Sequence, residues 1–516
     1  MMRPLRILGA LARLVRLWSL TLLLPIPVAL WFEPRDTVVL GLPPVPQPAL
    51  AFAGAFIACA LFWIPARVAS KRVDHEPMLD REGYITVALA WLVIALFGML
   101  PFLFTATLTS PVDAFFESMS GFTGTGSSVL SSPEDVAHSL LFWRSLSQWI
   151  GGLGIIVLFV AFLSGLAQGG LQLFQAEASG HISMRLKPKL VDNARTLLVL
   201  YLIVTAVMVA ILTPLIWRTA AVDGWTNALF EAVIHVFSAY ATGGFSSHAT
   251  SVAFFDDAWV EGAVTFFMLF GGINFSLLYL LFRHADRRLF GTTEFRFYVG
   301  IYGVSLLLNV ALLMFARPTF GFDEAARQGF WPALRHSSFT LASLYTGTGF
   351  STDNYALWPQ ASLLLLLLLM LFGGMAGSTS SAIKSFRWLV LLKTVARELR
   401  HMQHPRAVIP VRLGGRVIPE KTVATVAGFF FIYLAVWTAG TLIVATTDPL
   451  LGVLDGTAAT ASNLGNVGGG FGTVGPLAGY AGLLPSTKLV LALMMWLGRL
   501  EIFPILLLLN PKSWRS

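Results

Sequence analysis

Cysteine and charge are what this chain of 516 residues has least of. One cysteine, Cys59, excludes an internal disulfide, and without a CxxC pair or a histidine cluster the usual signature of a metal site is missing. Cys59 lies inside an apolar stretch and reads as a small buried apolar residue. Only 12% of residues are charged while 56% are hydrophobic, more apolar residue than a soluble protein of this size needs. No Walker motif or other ATP-hydrolysis motif occurs, so any nucleotide has to act through a partner.

What is present is apolar sequence in long runs. A bilayer crossing takes about 20 mostly apolar residues. Ten such stretches are legible, at 17–33, 49–66, 85–108, 138–165, 196–217, 258–283, 297–316, 361–392, 423–446 and 487–509. The first follows Arg3, Arg6, Arg13 and Arg16. It reads as a span and not a signal peptide, because Glu33-Pro34-Arg35-Asp36 follows instead of a small-residue cleavage site. The 40 Phe and 15 Trp suit lipid and its interfaces.

Ten crossings place both termini on one side. The basic segments fall on that side: the N-terminus, Arg67 to Arg72, Arg185 to Arg195, Arg283 to Arg296, Lys393 to Lys421, and Lys512 with Arg515. That face is therefore expected to be cytoplasmic. The formal charge of +8 is accounted for in this way, without nucleic acid. The opposite loops carry Asp113, Glu134, Asp135, Asp223, Asp256, Asp257, Asp323, Glu324, Asp353, Asp448 and Asp455, with Arg35, Arg218, Arg317, Arg327 and Arg335 against the trend. An acidic mouth would concentrate cations.

Four of the opposite loops are too long and too apolar for turns: 113–128, 228–247, 331–352 and 452–472. Each opens with about ten apolar residues, too few to cross, and so reads as a re-entrant segment. Each then turns rich in Gly, Thr, Ser or Asn. The copies align on Gly126, Gly244, Gly349 and Gly468, separated by 118, 105 and 119 residues. Such regular spacing is an internal repeat. It divides the chain into two N-terminal transmembrane helices (1–83) and four repeats, 84–190, 191–295, 296–420 and 421–516. Their filter loops are 123–128, 241–247, 346–352 and 465–471. The expected fold is an all-α polytopic membrane protein, with four pseudo-symmetric span–pore-helix–span repeats around a central ion pore.

Irregular backbone at membrane depth is tolerated only inside protein or along a wet path. Glycine takes the conformations that aim successive carbonyls at one axis, and carbonyl rings replace the water around a potassium ion. The candidate ion ligands are Gly124, Thr125 and Gly126; Thr242, Gly243 and Gly244; Gly347, Thr348 and Gly349; and Asn466, Val467 and Gly468. Flexible outer loops would not account for four copies at one place relative to two spans.

The eighth span is interrupted at 373–384 by small and hydroxylic residues, which suggests an unwound segment that acts as a gate; a close helix crossing is the plainer reading. Candidate gating residues are Gly373, Gly374, Gly377, Ser378, Thr379, Lys384 and Arg499. Arg499 sits about 18 Å down the last span at 1.5 Å per residue, where a charge needs a wet cavity or a partner such as Glu501. Arg144 and Gln148, four apart on one helical face, are expected to support the filter. His235 reads as a packing residue. Glu117 and Glu231 are either anchors or sources of negative potential.

At Trp143 to Ile155, Phe237 to His248, Leu269 to Phe275, Gly373 to Lys384, Asn466 to Gly472 and Leu497 to Phe503 the chain resembles the Trk/Ktr/HKT superfamily of potassium transporters, closest to its TrkH/TrkG branch. The resemblance covers about residues 110 to 505. It implies gated potassium uptake across a bacterial inner membrane, with both termini cytoplasmic and no covalent cofactor. K+ is the expected ion, with Na+ and Rb+ as congeners, and membrane lipid the surroundings. It also implies a homodimer and a cytosolic TrkA-type nucleotide-binding regulatory subunit, for which Lys393 to Lys421 is the expected contact, with anionic lipid the equal alternative there. Ser380, Ser381 and Ala382 stand where the family usually has more glycines, and Gly469 where it often has proline. An ion-coupled symporter and the pore subunit of a potassium-pumping ATPase are the alternatives.

Overall fold

The protein is described here by a computed structural model that covers residues 3–35, 37, 45–71, 78–165, 190–315 and 329–511. The basic residues Arg72, Arg185, Lys187, Lys189, Arg317, Arg327, Lys512 and Arg515, the acids Asp36, Asp323 and Glu324, and residue 316 of the seventh span lie outside the described residues.

Each of the ten apolar stretches contains helix among its described residues, but not all are continuous or straight. Pro4–Phe32, Gln47–Ser70, Arg81–Phe104, Arg195–Arg218, Thr293–Phe315 and Glu420–Thr447 are long and apolar enough to cross a membrane, and His138–Gly165 forms the fourth span. The first helix starts at Pro4, not near 17, because Ile7, Leu11 and Val15 pack inward while Arg13 and Arg16 stay exposed. The eighth span is split into Gln360–Met370 and Ser385–Gln403.

Two spans read as continuous are in fact sharply bent. The sixth turns by 107° between Ala258–Gly271 and Phe275–Arg283. Here Asn274 caps a new helix by accepting from Leu277 N at 3.1 Å, the ordinary way asparagine starts a helix. The tenth turns by 116° between Pro485–Arg499 and Phe503–Leu509. Glu501 and Ile502 both adopt positive φ there, +56° and +64°. No residue preference announces this, since a β-branched residue in that region is an outlier.

Between spans lie four short helices, Pro111–Thr123, Trp225–Tyr240, Phe330–Thr346 and Val453–Gly465, here called the first to fourth pore helices. Three later spans press against them through glycine. A β-carbon at Gly151, Gly271 or Gly498 would overlap the carbonyl oxygen of Phe122, Tyr240 or Leu464 respectively. Each of these acceptors stands four residues before one of the aligned glycines. The basic stretch after the eighth span carries a two-stranded hairpin, Arg412–Leu413 with Arg416–Val417. It closes through Gly414-Gly415, both at positive φ, as a tight two-residue hairpin turn requires.

This packing separates two kinds of glycine. Gly300, in the seventh span, has nothing within 4 Å of where a β-carbon would go. Gly498→Ala should lower stability by about 1–3 kcal/mol through overpacking, whereas Gly300→Ala should raise it by about 0.5–1 kcal/mol through reduced backbone freedom. Thermal unfolding of both variants in detergent measures the contrast, and equal midpoints would refute the packing assignment.

Candidate functional site

Each pore helix ends in the same way. The N–H groups of Thr125, Gly243, Thr348 and Val467 donate to the carbonyls of Ser120, Ser238, Ser343 and Ser462 at 2.8–2.9 Å. The residue before each donor is left-handed: Gly124 at +64°, Thr242 at +53°, Gly347 at +75° and Asn466 at +52°. This is the helix-ending arrangement in which a left-handed residue lets the next N–H reach back five positions. The chain then returns to positive φ at Gly126, Gly244, Gly349 and Gly468, between +81° and +87°.

The four segments converge on one another. A β-carbon on Gly126 would overlap the carbonyl oxygen of Gly243, on Gly244 that of Thr348, on Gly349 that of Val467, and on Gly468 that of Thr125. Each contact leads to the next segment and the fourth returns to the first, so the strands close a ring. Only glycine fits these positions, on grounds of both space and φ. The pore-helix C-termini meet here too, and each contributes partial negative charge of the sign a cation prefers.

Buried side chains fix the ring. Gln148 Nε2 donates to Gly243 O at 2.6 Å and its Oε1 accepts from Phe245 N at 3.1 Å. Arg144 Nε donates to Glu117 Oε1 at 2.8 Å, both side chains being buried. Its other nitrogens reach Ser246 O at 2.9 Å and Ser128 Oγ at 3.1 Å. Glu117 also accepts from Val129 N at 2.9 Å. His235 bonds Glu231 O and Ser246 Oγ at 2.8 and 3.0 Å, as a packing residue does. Glu231 accepts from Ser247 Oγ at 2.6 Å. Asn466 Nδ2 reaches across to Thr125 Oγ1 at 2.9 Å.

The two ends of the ring differ. At one, a cavity of about 170 Å³ is lined by all four glycines together with Arg144 and His248. At the other lies the break in the eighth span. Its backbone folds on itself through Gly373 N to Ile383 O at 2.6 Å and Gly374 N to Ser380 Oγ at 2.9 Å. Ser378 Oγ donates to Met375 O at 2.7 Å, and Lys384 Nζ donates to Ser380 O. The loop docks in the bend of the sixth span. Met375 N donates to Gly272 O at 2.9 Å, Phe275 N to Gly377 O at 3.1 Å, and Asn274 Nδ2 to Ala376 O. Thr379 Oγ1 donates to Gly271 O at 3.0 Å and Tyr240 O at 3.2 Å, which ties the loop to the end of the second pore helix.

Arg499 completes this end. Its Nη1 donates to Thr379 O and Ser381 Oγ at 2.9 and 3.0 Å, and its Nη2 to Gly151 O at 2.9 Å. It lies against Gly124 and is buried. Glu501 is not its partner; that carboxylate pairs with Arg387. Among the described residues no carboxylate faces Arg499. The sequence reading missed two supports. Glu294, fully buried, accepts from Ala376 N at 2.7 Å. The four capping serines were legible, because alignment on the glycines puts serine six positions before each one.

A glycine ring inside a polytopic helical protein, bracketed by a cavity and a docked loop, is the architecture of a membrane pore. The comparisons with known proteins agree. Residues 50–516 match the TrkH family model, described as a cation transport protein. The TrkH potassium uptake protein of Vibrio parahaemolyticus is 35% identical over 522 residues, 99% of each chain. That of Escherichia coli is 34% identical over 469 residues, 89% of this chain and 91% of the relative. The crystal structure of the potassium transporter TrkH from Vibrio parahaemolyticus superposes with a TM-score of 0.84 at 31% identity, covering 100% of both chains. The chain belongs to the TrkH family, a family of transporters and not of enzymes.

The Arg144–Glu117 pair yields a direct test. Arg144→Met strands a buried carboxylate and should cost about 3–5 kcal/mol, while the double variant with Glu117→Gln should recover part of the loss. If unfolding midpoints show the single variant unchanged, the pair does not anchor the ring.

Proposed function

We propose that the chain is the ion-translocating subunit of a potassium-uptake system, conducting K+ down its electrochemical gradient through the glycine ring. The observation that carries this is the closed circuit of backbone contacts at Gly126, Gly244, Gly349 and Gly468. The ion ligands are the backbone oxygens of the three-residue segments 124–126, 242–244, 347–349 and 466–468, which substitute for hydration water. The loop at 373–384, held by Lys384 and Arg499, is the gate. The membrane is the bacterial inner membrane and both termini face the cytoplasm, a reading supported by the basic segments on that side. The working form is a homodimer. Nucleotide acts only through a TrkA-type subunit docked on the cytoplasmic face, with the hairpin at 412–417 part of that contact.

Rubidium uptake into sealed vesicles that contain only the purified chain tests the reading. Uptake without ATP and without a sodium or proton gradient is expected, and strict dependence on any of these would overturn it. Gly244→Ser puts a side chain where Thr348 O already lies. This should reduce the preference for Rb+ over Na+, and unchanged selectivity would argue against the filter assignment.

Arg499→Ala removes three hydrogen bonds that tie the loop to its surroundings. Bonds from a charged donor stabilise by about 1.5–3 kcal/mol each, so basal flux should rise about tenfold or more. An unchanged or lower flux in correctly folded protein would show that Arg499 does not hold the gate shut.

A further inference from the structure

Away from the ring, an open groove of about 700 Å³ runs between the fifth span and both halves of the sixth. It exists because the sixth span turns through 107° at Gly271–Phe275 and leaves the face of its neighbour uncovered. Val199, Ile203, Val207 and Ile211 line one wall. They recur every four residues, hence on one helical face, and each is exposed. Phe266, Phe270 and Phe282 form the other wall.

Arg195 and Arg283 line the same groove. Both are exposed, and neither side chain has a hydrogen bond or ion pair among the described residues. Elsewhere cations find carboxylates, as in Arg144–Glu117, Arg335–Glu261 and Lys488–Asp113. From Arg195 to Ile211 the groove climbs about 24 Å at 1.5 Å per residue. One leaflet's hydrocarbon is about 15 Å deep, half of the bilayer core. A cleft of this length, apolar along its walls and doubly cationic at one end, has the charge pattern of a phospholipid with the signs reversed at the head.

We propose that this groove is a binding site for an anionic phospholipid, its acyl chain along the Val199–Ile211 face and its phosphate between Arg195 and Arg283. Guanidinium groups suit phosphate because they bond it bidentately while remaining charged. The bound lipid also acts on the gate. The helix Phe275–His284 carries Arg283 near its far end, and its first residue donates to Gly377 O of the loop. Fixing one end of that short helix limits the movement of the other, so membrane charge biases the loop. Only the choice of leaflet rests on the proposed orientation of the chain in the membrane.

Native mass spectrometry of the purified full-length chain tests the site without reference to transport. Phosphatidylglycerol and phosphatidylcholine with identical acyl chains are the probes. The parent should retain phosphatidylglycerol in roughly thirtyfold preference, as two basic residues near a membrane would give. Arg195→Gln with Arg283→Gln should abolish the preference while leaving the protein folded. Equal retention of both lipids by the parent, or an undiminished preference in the variant, overturns the proposal. Ile203→Trp should lower retention of both lipids by filling the groove, and unaltered retention likewise overturns it. The competing occupant is a second copy of the chain. Ile203→Cys reports on that cleanly, because the native cysteine, Cys59, is buried; efficient disulfide formation between protomers would overturn the lipid assignment. Loss of rubidium uptake with lipid retention intact would instead sink the transport reading alone.

Discussion

Everything at the centre of this protein follows from how closely four stretches of backbone approach one another. At each of the four glycines the space a β-carbon would occupy is filled by a carbonyl oxygen of the next segment. Backbone brought this close inside a membrane has no water to satisfy it. The structure answers by returning one N–H of each strand to its own pore helix, at Ser120, Ser238, Ser343 and Ser462. What is left over is oxygen, held at the negative ends of four helices. A cation path is the natural use of such a surplus.

The ring was legible in the sequence because its requirements are strict. Glycine at a fixed place in four loops, between apolar stretches of sufficient length, suits little except backbone that lines a path. The spans were legible for the same reason, since the bilayer dictates their length. The bends were less so. Gly271-Gly-Ile-Asn274 does carry a helix-starting asparagine, a local signal that a new helix begins. At Glu501-Ile502 no such signal exists. The left-handed Glu501 lets Ile502 N reach back five positions to Leu497 O at 3.0 Å, a local helix ending, and the contact that holds it from outside is the Arg387–Glu501 pair.

Charge placement shows the same division. The depth of Arg499 follows from counting residues, but its surroundings do not. Proximity in sequence suggested Glu501, yet 116° of bend intervenes and the arginine turns to carbonyls instead. Glu294 was invisible because its partner, the backbone at Ala376, is 82 residues away. Such partners are set by the fold, and local sequence carries no trace of them.

The four segments are alike in backbone and unlike in side chain. The first and third begin with glycine, Gly124 and Gly347, where the second and fourth have Thr242 and Asn466 at positive φ. A non-glycine residue there is held against a local penalty of order 1 kcal/mol, so its side chain should have work to do. Asn466 does: it crosses to Thr125 Oγ1 and to Met495 O, each at 2.9 Å. Thr242 faces Thr379 of the docked loop at 3.4 Å. Among the described residues the loop exists in one copy, contributed by the eighth span. It touches Tyr240 and Gly271 on one side and, through Arg499, Gly151 on another. A single loop cannot meet four equivalent strands equally. A ring met by one asymmetric loop is therefore unequal at that end, and Thr242 is where the loop reaches the strand.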